Sequence, residues 1–599
     1  MTRHVAVMNT AFRDGFQSCV GARVFTDDFL PALEAALEAG FTHFEAGGGA
    51  RYQVPYLYCG EDAFDMMDRF RATTGPDANL QTLARGVNVV GLDSQSSDII
   101  ELHAQLFKKH GMTTIRNFDA LNDWRNLAFS GRCIIEAGLR HEVVVALMGL
   151  PPGVRGGHTS EFYIGVLQDI LDNDVPFSSV CFKDASGTTP PQVIYETVKE
   201  ARRRLGEDIH LRVHSHETAG ISIAQYRAAL DAGADGIDLS MAPMSGGTAQ
   251  PDVVTMWQAL RGTDFDLGVD IDKVLAAEEV FKECMKDYFL PPESRAVEPL
   301  IPFSPMPGGA LTANTQMMRD NGMLDKYPAA IREMREVVSL GGFGSSVTPV
   351  SQFYFQQALN NAIFGRWQRI AEGYGKMVLG YFGKTPREPD PKVVALAAEQ
   401  LGLEPTTRDP RLINDEDPTK GRDAAAARLD EAGLPHTEEN IFIAASLKEK
   451  GIAFLQGRGD VAVRKNGPEK ATARGPTGPK PSSFRVHVGG RAFDVEVRDG
   501  RAVINGRTLD YRVEAGPGGD TQAAPAASAA EPVNAQMPGK ILKHLVSVGQ
   551  QVAEGDALLL IEAMKMEMEV AAPRAGRVAA IPADEGQQVA AGEPLVLLS

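Results

Sequence analysis

Two histidines one residue apart, His214 and His216, have the type and spacing that can bind a metal ion. Residues i and i+2 of a β-strand point to the same face, so both imidazoles can reach one ion. An isolated pair of this kind is more often a surface or core feature. Here the pair ends a segment that predicts a strand, and Asp14 follows another such segment near the N-terminus. Two imidazoles and a carboxylate suit zinc, with manganese or cobalt as alternatives.

Such a site needs a fourth ligand, and Lys183 stands at the end of the neighbouring predicted strand. A cationic lysine cannot bind a cation. Once the amine has reacted with CO₂, the side chain ends in an anionic oxygen donor that can. Lys183 is therefore a candidate ligand in its carboxylated form.

The elements that must position these residues are eight short apolar or β-branched runs in the first 260 residues. Amphipathic stretches of helical length separate them. The runs begin near Val5, Thr42, Leu80, Thr114, Val143, Ser179, His210 and Gly236. Eight β-then-α units in about 250 residues predict an α/β fold, a (β/α)₈ TIM barrel, with a doubly wound open sheet as the rival.

Chemistry in such barrels takes place at the C-terminal ends of the strands, and polar residues gather at those ends in this sequence. They are Arg13, Asp14, Glu45, Arg85, Asn117, Asp119, Lys183, Asp184, His214, His216 and Asp238. One ionisable residue at a strand end can be a satisfied core group. So many of them indicate an active site.

Composition divides the rest of the chain into further domains and linkers. Gly/Pro-rich and Ala/Pro/Gly-rich stretches predict linkers, and alternation at period two between them predicts a small antiparallel β-module. The predicted divisions are a barrel at 1–300, a mostly helical region at 301–464, a linker at 465–483, the β-module at 484–515, a linker at 516–532 and a terminal domain at 533–599.

The terminal domain contains an internal repeat around the run Glu-Ala-Met-Lys-Met-Glu, whose lysine is Lys565. The copies at 549–555 and 586–592 each lead into an apolar strand, which predicts a small flattened barrel with Lys565 on the turn between its halves. The run resembles that of biotin carrier domains, which implies an all-β biotinyl (barrel-sandwich) domain with biotin covalently bound to Lys565. Lipoyl carriers share the fold, but their lysine usually stands between acidic and small residues.

Four motifs in the first 352 residues resemble those of biotin-dependent 2-oxo-acid carboxyltransferases. They are FRDGFQS at 12–18, FKDASG at 182–187, VHSH at 213–216 and SVTPVSQ at 346–352. That family includes pyruvate carboxylase, the oxaloacetate decarboxylase α subunit and the transcarboxylase that acts on pyruvate. The resemblance covers about residues 4–400 and the carrier domain, and it implies that the helical region caps the barrel mouth as a funnel for biotin.

The resemblance also implies roles for individual residues. Asp14, His214, His216 and carboxylated Lys183 would hold one divalent metal ion; Arg13, Gln17 and Arg85 would orient the oxo acid; and Thr348 would move a proton between the substrate enolate and biotin. Carboxylating pyruvate requires loss of a methyl proton, and the enolate so formed needs positive charge beside its oxygen. From the residues alone, Thr348 could equally be a turn or capping hydroxyl before Pro349.

Three departures from the family pattern put the acceptor acid in question. The chain has Phe16 where many members have histidine, Ala11 where they have threonine, and the glycine run 47–49 without the tryptophan that often precedes it. We expect Phe16 and the glycine run to alter the pocket. Pyruvate is the expected acceptor, with 2-oxoglutarate as the alternative.

Composition limits the compartment and the partners. The net charge of −18 argues against nucleic acid or anionic membranes as general partners. Five scattered cysteines suggest no disulfide framework, and there is neither a secretory signal nor an apolar run of about twenty residues. We expect a cytoplasmic homo-oligomer, peripheral at a membrane only as part of a sodium-pumping decarboxylase.

The sequence lacks a G-x-x-x-x-G-K-[ST] nucleotide loop, so the carboxyl group must come from, or go to, a partner. The expected partners are a separate biotin carboxylase subunit or membrane decarboxylase subunits, together with biotin protein ligase. A non-catalytic scaffold that only docks the carrier is the alternative from another functional class.

Overall fold

The computed structural model describes residues 2–320, 322–466, 483–488, 491–498, 501–504, 507–510, 531–535, 539–563, 566–589 and 592–599. Side chains are not described at 320, 483–510 and 562–568. Most of the two predicted linkers and Lys565 lie outside the described residues. Internal contacts divide the chain into two compact units, Met1–Lys465 and Asn466–Ser599.

In the described part of the first unit, eight parallel strands close into a barrel in sequence order. The strands are β1 Ala6–Asn9, β2 His43–Gly48, β3 Asn79–Ala84, β4 Thr114–Asn117, β5 Arg140–Leu147, β6 Ser179–Asp184, β7 His210–Ser215 and β8 Gly236–Leu239. β8 pairs with β1 and closes the ring, with Gly236 opposite Ala6. The predicted TIM barrel is confirmed.

Burial explains why these runs form strands. In β5 every residue after Arg140 is buried, because a parallel strand inside a barrel is covered on both faces. The helices around the barrel are Phe16–Val20, Thr26–Glu38, Ala50–Tyr58, Ala63–Thr74, Ser97–Lys109, Trp124–Glu136, Ser160–Asp172, Pro191–Leu205, Ser222–Asp231, Val253–Leu260, Ile271–Met285 and Pro292–Arg295. Two short strands, Arg3–His4 and Phe265–Asp266, pair outside the barrel.

The region after the barrel is helical, as predicted. Its helices are Gly308–Asp320, Tyr327–Leu340, Val350–Phe364, Glu372–Val378, Pro391–Leu401, Pro410–Asp415, Gly421–Ala432 and Glu438–Leu455. The helices from 327 to 401 share an apolar cluster with residues at the strand ends, among them Leu83 and Phe118. This part of the region covers the barrel mouth.

The last two helices do not cap the mouth. Gly421–Ala432 and Glu438–Leu455 belong to the barrel's own core cluster. The ring of Phe442 lies 5.4 Å from that of Tyr52 and 6.3 Å from that of Phe107, on the outer helices of the barrel. The predicted cap, residues 301–464, therefore extends too far towards the C-terminus. Its last two helices pack against the barrel wall, where apolar residues such as Phe442 are buried.

The second unit is built from antiparallel sheets. The β-module strands are Ser483–Val488, Arg491–Arg498, Arg501–Ile504 and Arg507–Asp510. The terminal domain has two further sheets, of Glu531–Asn534, Pro594–Leu598, Gly576–Ala580 and Gln551–Val552, and of Met566–Ala571, Ala557–Ala563, Gly539–His544 and Gln588–Val589.

The sequence repeat of the terminal domain appears in its hydrogen bonds. The Gly549 amide donates to the carbonyl of Val578 at 2.7 Å, and the Gly586 amide donates to that of Ile541 at 2.7 Å. The short strand Gln551–Val552 of the first repeat therefore lies in the same sheet as Pro594–Leu598, the apolar strand that follows the second repeat. Gln588–Val589 of the second repeat lies in the same sheet as Ala557–Ala563, the apolar strand that follows the first. The predicted all-β carrier fold is confirmed.

Candidate metal and substrate site

Three predicted metal ligands meet where β1 and β7 end. Asp14 Oδ2 lies 3.4 Å from His214 Nε2 and 3.6 Å from His216 Nε2, and all three side chains are buried. Burial alone would raise the pKa of Asp14, but the surrounding positive charges, that of Arg13 foremost, hold it well below its ordinary value. An ionised carboxylate and two imidazole nitrogens facing one another are a donor set that fits a divalent ion.

Hydrogen bonds fix the orientation of both rings. His214 Nδ1 lies 2.8 Å from Asp238 Oδ2, and His216 Nδ1 lies 2.7 Å from the carbonyl oxygen of Thr248. A proton held on Nδ1 leaves the Nε2 lone pair free, and both Nε2 atoms face Asp14. Outer partners of this kind are the usual support of metal-binding histidines.

Lys183 lies against the same cluster. Its Nζ is 2.7 Å from His214 Nε2 and 3.5 Å from Asp14 Oδ2, and only 3% of the residue is exposed. Burial lowers the pKa of Lys183, against the opposing charge of Asp14. The uncharged amine is the form that reacts with CO₂, so the surroundings favour the carboxylation that would turn this lysine into a ligand.

A buried arginine supports the cluster from inside the barrel. Arg116 is fully buried, with Nε 2.5 Å from Glu142 Oε1 and Nη1 3.2 Å from Glu45 Oε1, and it also pairs with Asp238. Burial alone would raise the pKa of Asp238, but the Arg116 charge holds it far below its ordinary value. Asp238 therefore stays ionised beside His214.

A cavity opens beside the cluster, and most of the predicted site residues line it. Its lining residues are Arg13, Asp14, Gln17, Leu83, Arg85, Phe118, Lys183, Ala185, His216, Pro307, Gly309, Val347 and Thr348. Every residue predicted to bind metal or substrate in the first unit lines this cavity except His214, which is fully buried.

Three polar groups in the cavity wall lack partners among the described residues. Arg13 Nε, Gln17 Oε1 and Arg85 Nε are buried and make no hydrogen bond. Burial, with the neighbouring Arg13 charge, lowers the pKa of Arg85 to about 9. Arg13 Nε and Arg85 Nε are donors of cationic groups, and buried donors without partners are costly, so this wall is suited to an anionic ligand with hydrogen-bonding oxygens. Gln17 Oε1 is an acceptor.

Thr348 lies at the cavity, two residues before the first residue of the helix Val350–Phe364. That helix has no side-chain cap, and Thr348 makes no hydrogen bond within the described part of the chain. The alternative role as a capping hydroxyl is therefore not supported. Its hydroxyl remains available to a ligand in the cavity.

The expectation that Phe16 shapes the pocket is wrong. Its ring is fully buried and packs on Phe29 at 5.5 Å and on Phe281 at 5.8 Å, away from the cavity. The glycine run does reach the site, because a Cβ at Gly49 would lie 3.2 Å from Arg85 Nη2 and 3.5 Å from Arg13 Nη2.

Some polar strand-end residues do not face the site. The Asp184 carboxylate accepts backbone hydrogen bonds from Ser186, Gly187 and Thr189, and so holds its own loop. Asp119 likewise accepts from the amides of Leu121 and Asp123.

Sequence reasoning missed two residues in the loop after β8. These are Thr248, whose carbonyl contacts His216, and Gln250, whose amide lies 3.1 Å from His216 Nε2. In the sequence, these two residues could have been found only from their place in the loop that follows the last barrel strand.

Described strands lie on either side of residues 564–565, where the sequence predicts the carrier turn. Ala557–Ala563 pairs antiparallel with Met566–Ala571, and Ala563 lies opposite Met566. Lys565, the predicted biotin attachment site, lies between them and outside the described residues.

Among the helices that the structure describes, none has the length and apolar character needed to span a bilayer.

Three family models match successive parts of the chain. The "HMGL-like" model matches residues 173–281, the "Conserved carboxylase domain" matches 301–504, and the "Biotin-requiring enzyme" model matches 531–598. They cover part of the barrel, the helical region with most of the β-module, and the terminal domain.

Curated relatives match almost the whole chain. A pyruvate carboxylase subunit of Methanothermobacter thermautotrophicus is 29% identical over 575 residues, covering 94% of each chain. The 2-oxoglutarate carboxylase large subunit of Hydrogenobacter thermophilus is 29% identical over 612 residues, covering 95% of this chain and 91% of the relative. The solved carboxyl transferase domain of Rhizobium etli pyruvate carboxylase shares the fold, with a TM-score of 0.69 at 21% identity, and covers 86% of this chain and 89% of that one. The chain is therefore similar, along almost its whole length, to biotin-dependent carboxyltransferases of the pyruvate carboxylase and transcarboxylase type.

Proposed function

We propose that this chain transfers a carboxyl group between biotin on Lys565 and pyruvate, so that oxaloacetate is formed or consumed. One observation carries the proposal. A single cavity joins unpaired anion-binding groups, a free hydroxyl and a cluster of metal-ligand type. The first can hold an oxo acid, the second can move a proton, and the third can stabilise an enolate.

Arg13, Gln17 and Arg85 are proposed to bind and orient the oxo acid. A guanidinium binds a carboxylate through parallel N–H donors, which fixes the plane of the substrate. Arg85 is itself positioned by the carbonyls of Val90 and Gly91, which accept from its Nη1 at 2.8 and 2.9 Å. Its remaining donors are left for a ligand.

Asp14, His214, His216 and carboxylated Lys183 would hold one divalent ion, with zinc preferred and manganese or cobalt as alternatives. When bound, such an ion acts as a Lewis acid beside the substrate oxygen, where negative charge develops. The chain's contribution is to keep Asp14 ionised and both Nε2 atoms free of protons.

Thr348 is proposed to carry the proton that must leave the methyl carbon of pyruvate. Its Oγ would accept that proton and release its own to biotin, so the hydroxyl is unchanged after transfer. A threonine is a weak base alone, and this role requires a basic partner on the biotin side. The free hydroxyl in the cavity wall supports the assignment.

The cavity favours pyruvate over 2-oxoglutarate. The second carboxylate of 2-oxoglutarate would need a cation beyond the one that holds the first. Of the lining cations, Arg13 already pairs with Asp14 at 2.9 Å and Glu45 at 3.3 Å, and Lys183 belongs to the metal cluster. Arg85 and the unpaired Nε of Arg13 are then left for a single carboxylate.

The carrier must receive its carboxyl group elsewhere. We propose a separate biotin carboxylase subunit as the partner, since the relative from Methanothermobacter is itself one subunit of a pyruvate carboxylase. Membrane decarboxylase subunits are the alternative partner and would place the chain at a membrane surface. Biotin protein ligase would modify Lys565, the assembly would be a homo-oligomer, and its compartment the cytoplasm.

Isotope exchange tests the substrate without any partner subunit. The biotinylated chain is incubated with unlabelled oxaloacetate and ¹³C-labelled pyruvate, and label in oxaloacetate is followed by mass spectrometry. We expect exchange with this pair and none with oxalosuccinate and 2-oxoglutarate. Exchange only with the second pair would establish 2-oxoglutarate as the acceptor, and exchange with neither would favour the scaffold.

A further inference from the structure

Gln250 is a fully buried glutamine whose amide lies inside the cluster of candidate metal ligands. One end of the amide, Nε2, is 3.1 Å from His216 Nε2 and 3.4 Å from His214 Nε2. The other end, Oε1, is 2.7 Å from the hydroxyl of Thr10. The amide therefore occupies the space that both imidazole lone pairs face.

The Thr10 hydroxyl can pair with either end of the amide, because it can donate to an oxygen or accept from an NH₂ group. Its Oγ1 is 2.7 Å from Gln250 Oε1 and 3.1 Å from the carbonyl oxygen of Leu239, and both are acceptors. A hydroxyl has one proton and cannot fully satisfy two acceptors. With the amide turned by half a turn, Thr10 donates to Leu239 and accepts from the Gln250 NH₂ group, and the amide oxygen then faces the two Nε2 lone pairs, an arrangement that needs a cation between them.

The same half turn is required when an ion is present. His214 and His216 would then give their Nε2 lone pairs to the ion, and neither could accept a hydrogen bond from Gln250. An NH₂ group held there would direct its positive end at a cation. The amide oxygen, by contrast, is an oxygen donor of the kind that divalent ions bind.

We propose that Gln250 presents its amide oxygen to the metal as a further ligand, held in that orientation by Thr10. The inference rests on the proposed metal role of Asp14, His214 and His216. Within the described residues, it gives the site a neutral oxygen donor that does not depend on reaction of Lys183 with CO₂. The ion can then be retained when Lys183 is unmodified.

Two substitutions of Gln250 separate an oxygen ligand from a hydrogen-bond donor. Gln250→Leu removes both functions, whereas Gln250→Glu keeps an oxygen at the same reach and removes the N–H donors. The metal-depleted full chain and its variants are titrated with Co²⁺ in bicarbonate buffer, with affinity measured by chelator competition and ligand number by the visible cobalt spectrum. Thermal unfolding of the metal-free forms checks that each variant is folded.

We expect Gln250→Leu to weaken Co²⁺ binding by about tenfold or more, with an altered spectrum, and Gln250→Glu to bind as tightly as the wild type or more tightly. Equal weakening in both variants would show that the NH₂ group is the functional end and would overturn the inference. Unchanged binding by Gln250→Leu would overturn it as well.

His216→Ala serves as the reference for the proposed function. Loss of Co²⁺ from His216→Ala with full binding by Gln250→Leu would refute only the role of Gln250. Retention of Co²⁺ by His216→Ala would show that the ion binds elsewhere, and would refute the metal site together with this inference.

Discussion

His214 and Asp238 are joined by a 2.8 Å contact between Nδ1 and Oδ2, in the buried interior of the barrel. The contact directs the opposite ring nitrogen, Nε2, to Asp14. Arg116 pairs with the same carboxylate and keeps it ionised. The orientation of a candidate metal ligand thus depends on charges that do not touch the cavity.

Asp238→Asn should weaken metal binding without removing any ligand. The amide can no longer hold a proton on His214 Nδ1 as a carboxylate does, and we expect a loss of about 10–100-fold in affinity. Arg116 also loses a buried partner, which should lower the free energy of unfolding by about 3–5 kcal/mol.

Chelator competition and thermal unfolding measure these two effects. Asp231→Asn is a matched control, because Asp231 forms an exposed i,i+4 pair with Arg227 and should change neither property appreciably. Wild-type metal affinity in Asp238→Asn would contradict the positioning role.

Biotin should be attached to Lys565 alone. Intact-mass analysis of the chain, expressed with a biotin protein ligase, should show one biotin increment in the wild type and none in Lys565→Arg. Lys540→Arg, in the strand Gly539–His544 of the same domain, is the matched control and should keep the increment. A biotin increment retained by Lys565→Arg would place the attachment site elsewhere.

Asp119 should make the stability of the first unit depend on pH. Burial, followed by the nearby Asp123 charge, raises the pKa of Asp119 from 3.8 to about 7. The native state therefore holds a proton between about pH 4 and 7 that the unfolded state has released, so stability falls as pH rises through this window. The change is at most about 1.4 kcal/mol per pH unit.

The comparison with Asp119→Asn isolates this group, because all other titrations are shared. We expect the wild type to lose stability relative to the variant between pH 5 and 7, and the difference to level off above about pH 7. Thermal unfolding at several pH values measures it. A constant difference between the two proteins would show that Asp119 is ionised throughout.

Much of the fold was predictable because its periodicity is regular. Every predicted barrel strand lies in the barrel, since a parallel strand buried on both faces is a continuous apolar run. The convergence of Asp14, Lys183 and His216 at the cavity followed from the rule that strand ends meet at one face of a barrel.

Other features depend on local geometry that no periodicity encodes. Residues 11–15 form a π-helical turn that leads into the helix Phe16–Val20, and this turn directs Phe16 to the core while Gln17 reaches the cavity. Gln250 belongs to an irregular loop after β8, so only the folded structure shows that it contacts His216. The packing of the last two helices against the barrel wall likewise depends on contacts with barrel residues that are far away in the sequence.

The central claim is that carboxyl transfer takes place at Thr348, and Thr348→Ala tests it most directly. The variant should fold, bind metal and carry biotin as the wild type does, because the Thr348 hydroxyl makes no hydrogen bond within the described residues. Thr348→Ser, which keeps a hydroxyl, is the matched control. Exchange of label between pyruvate and oxaloacetate should fall by about 10² or more in Thr348→Ala and remain substantial in Thr348→Ser. Exchange by Thr348→Ala at close to the wild-type rate would contradict the account.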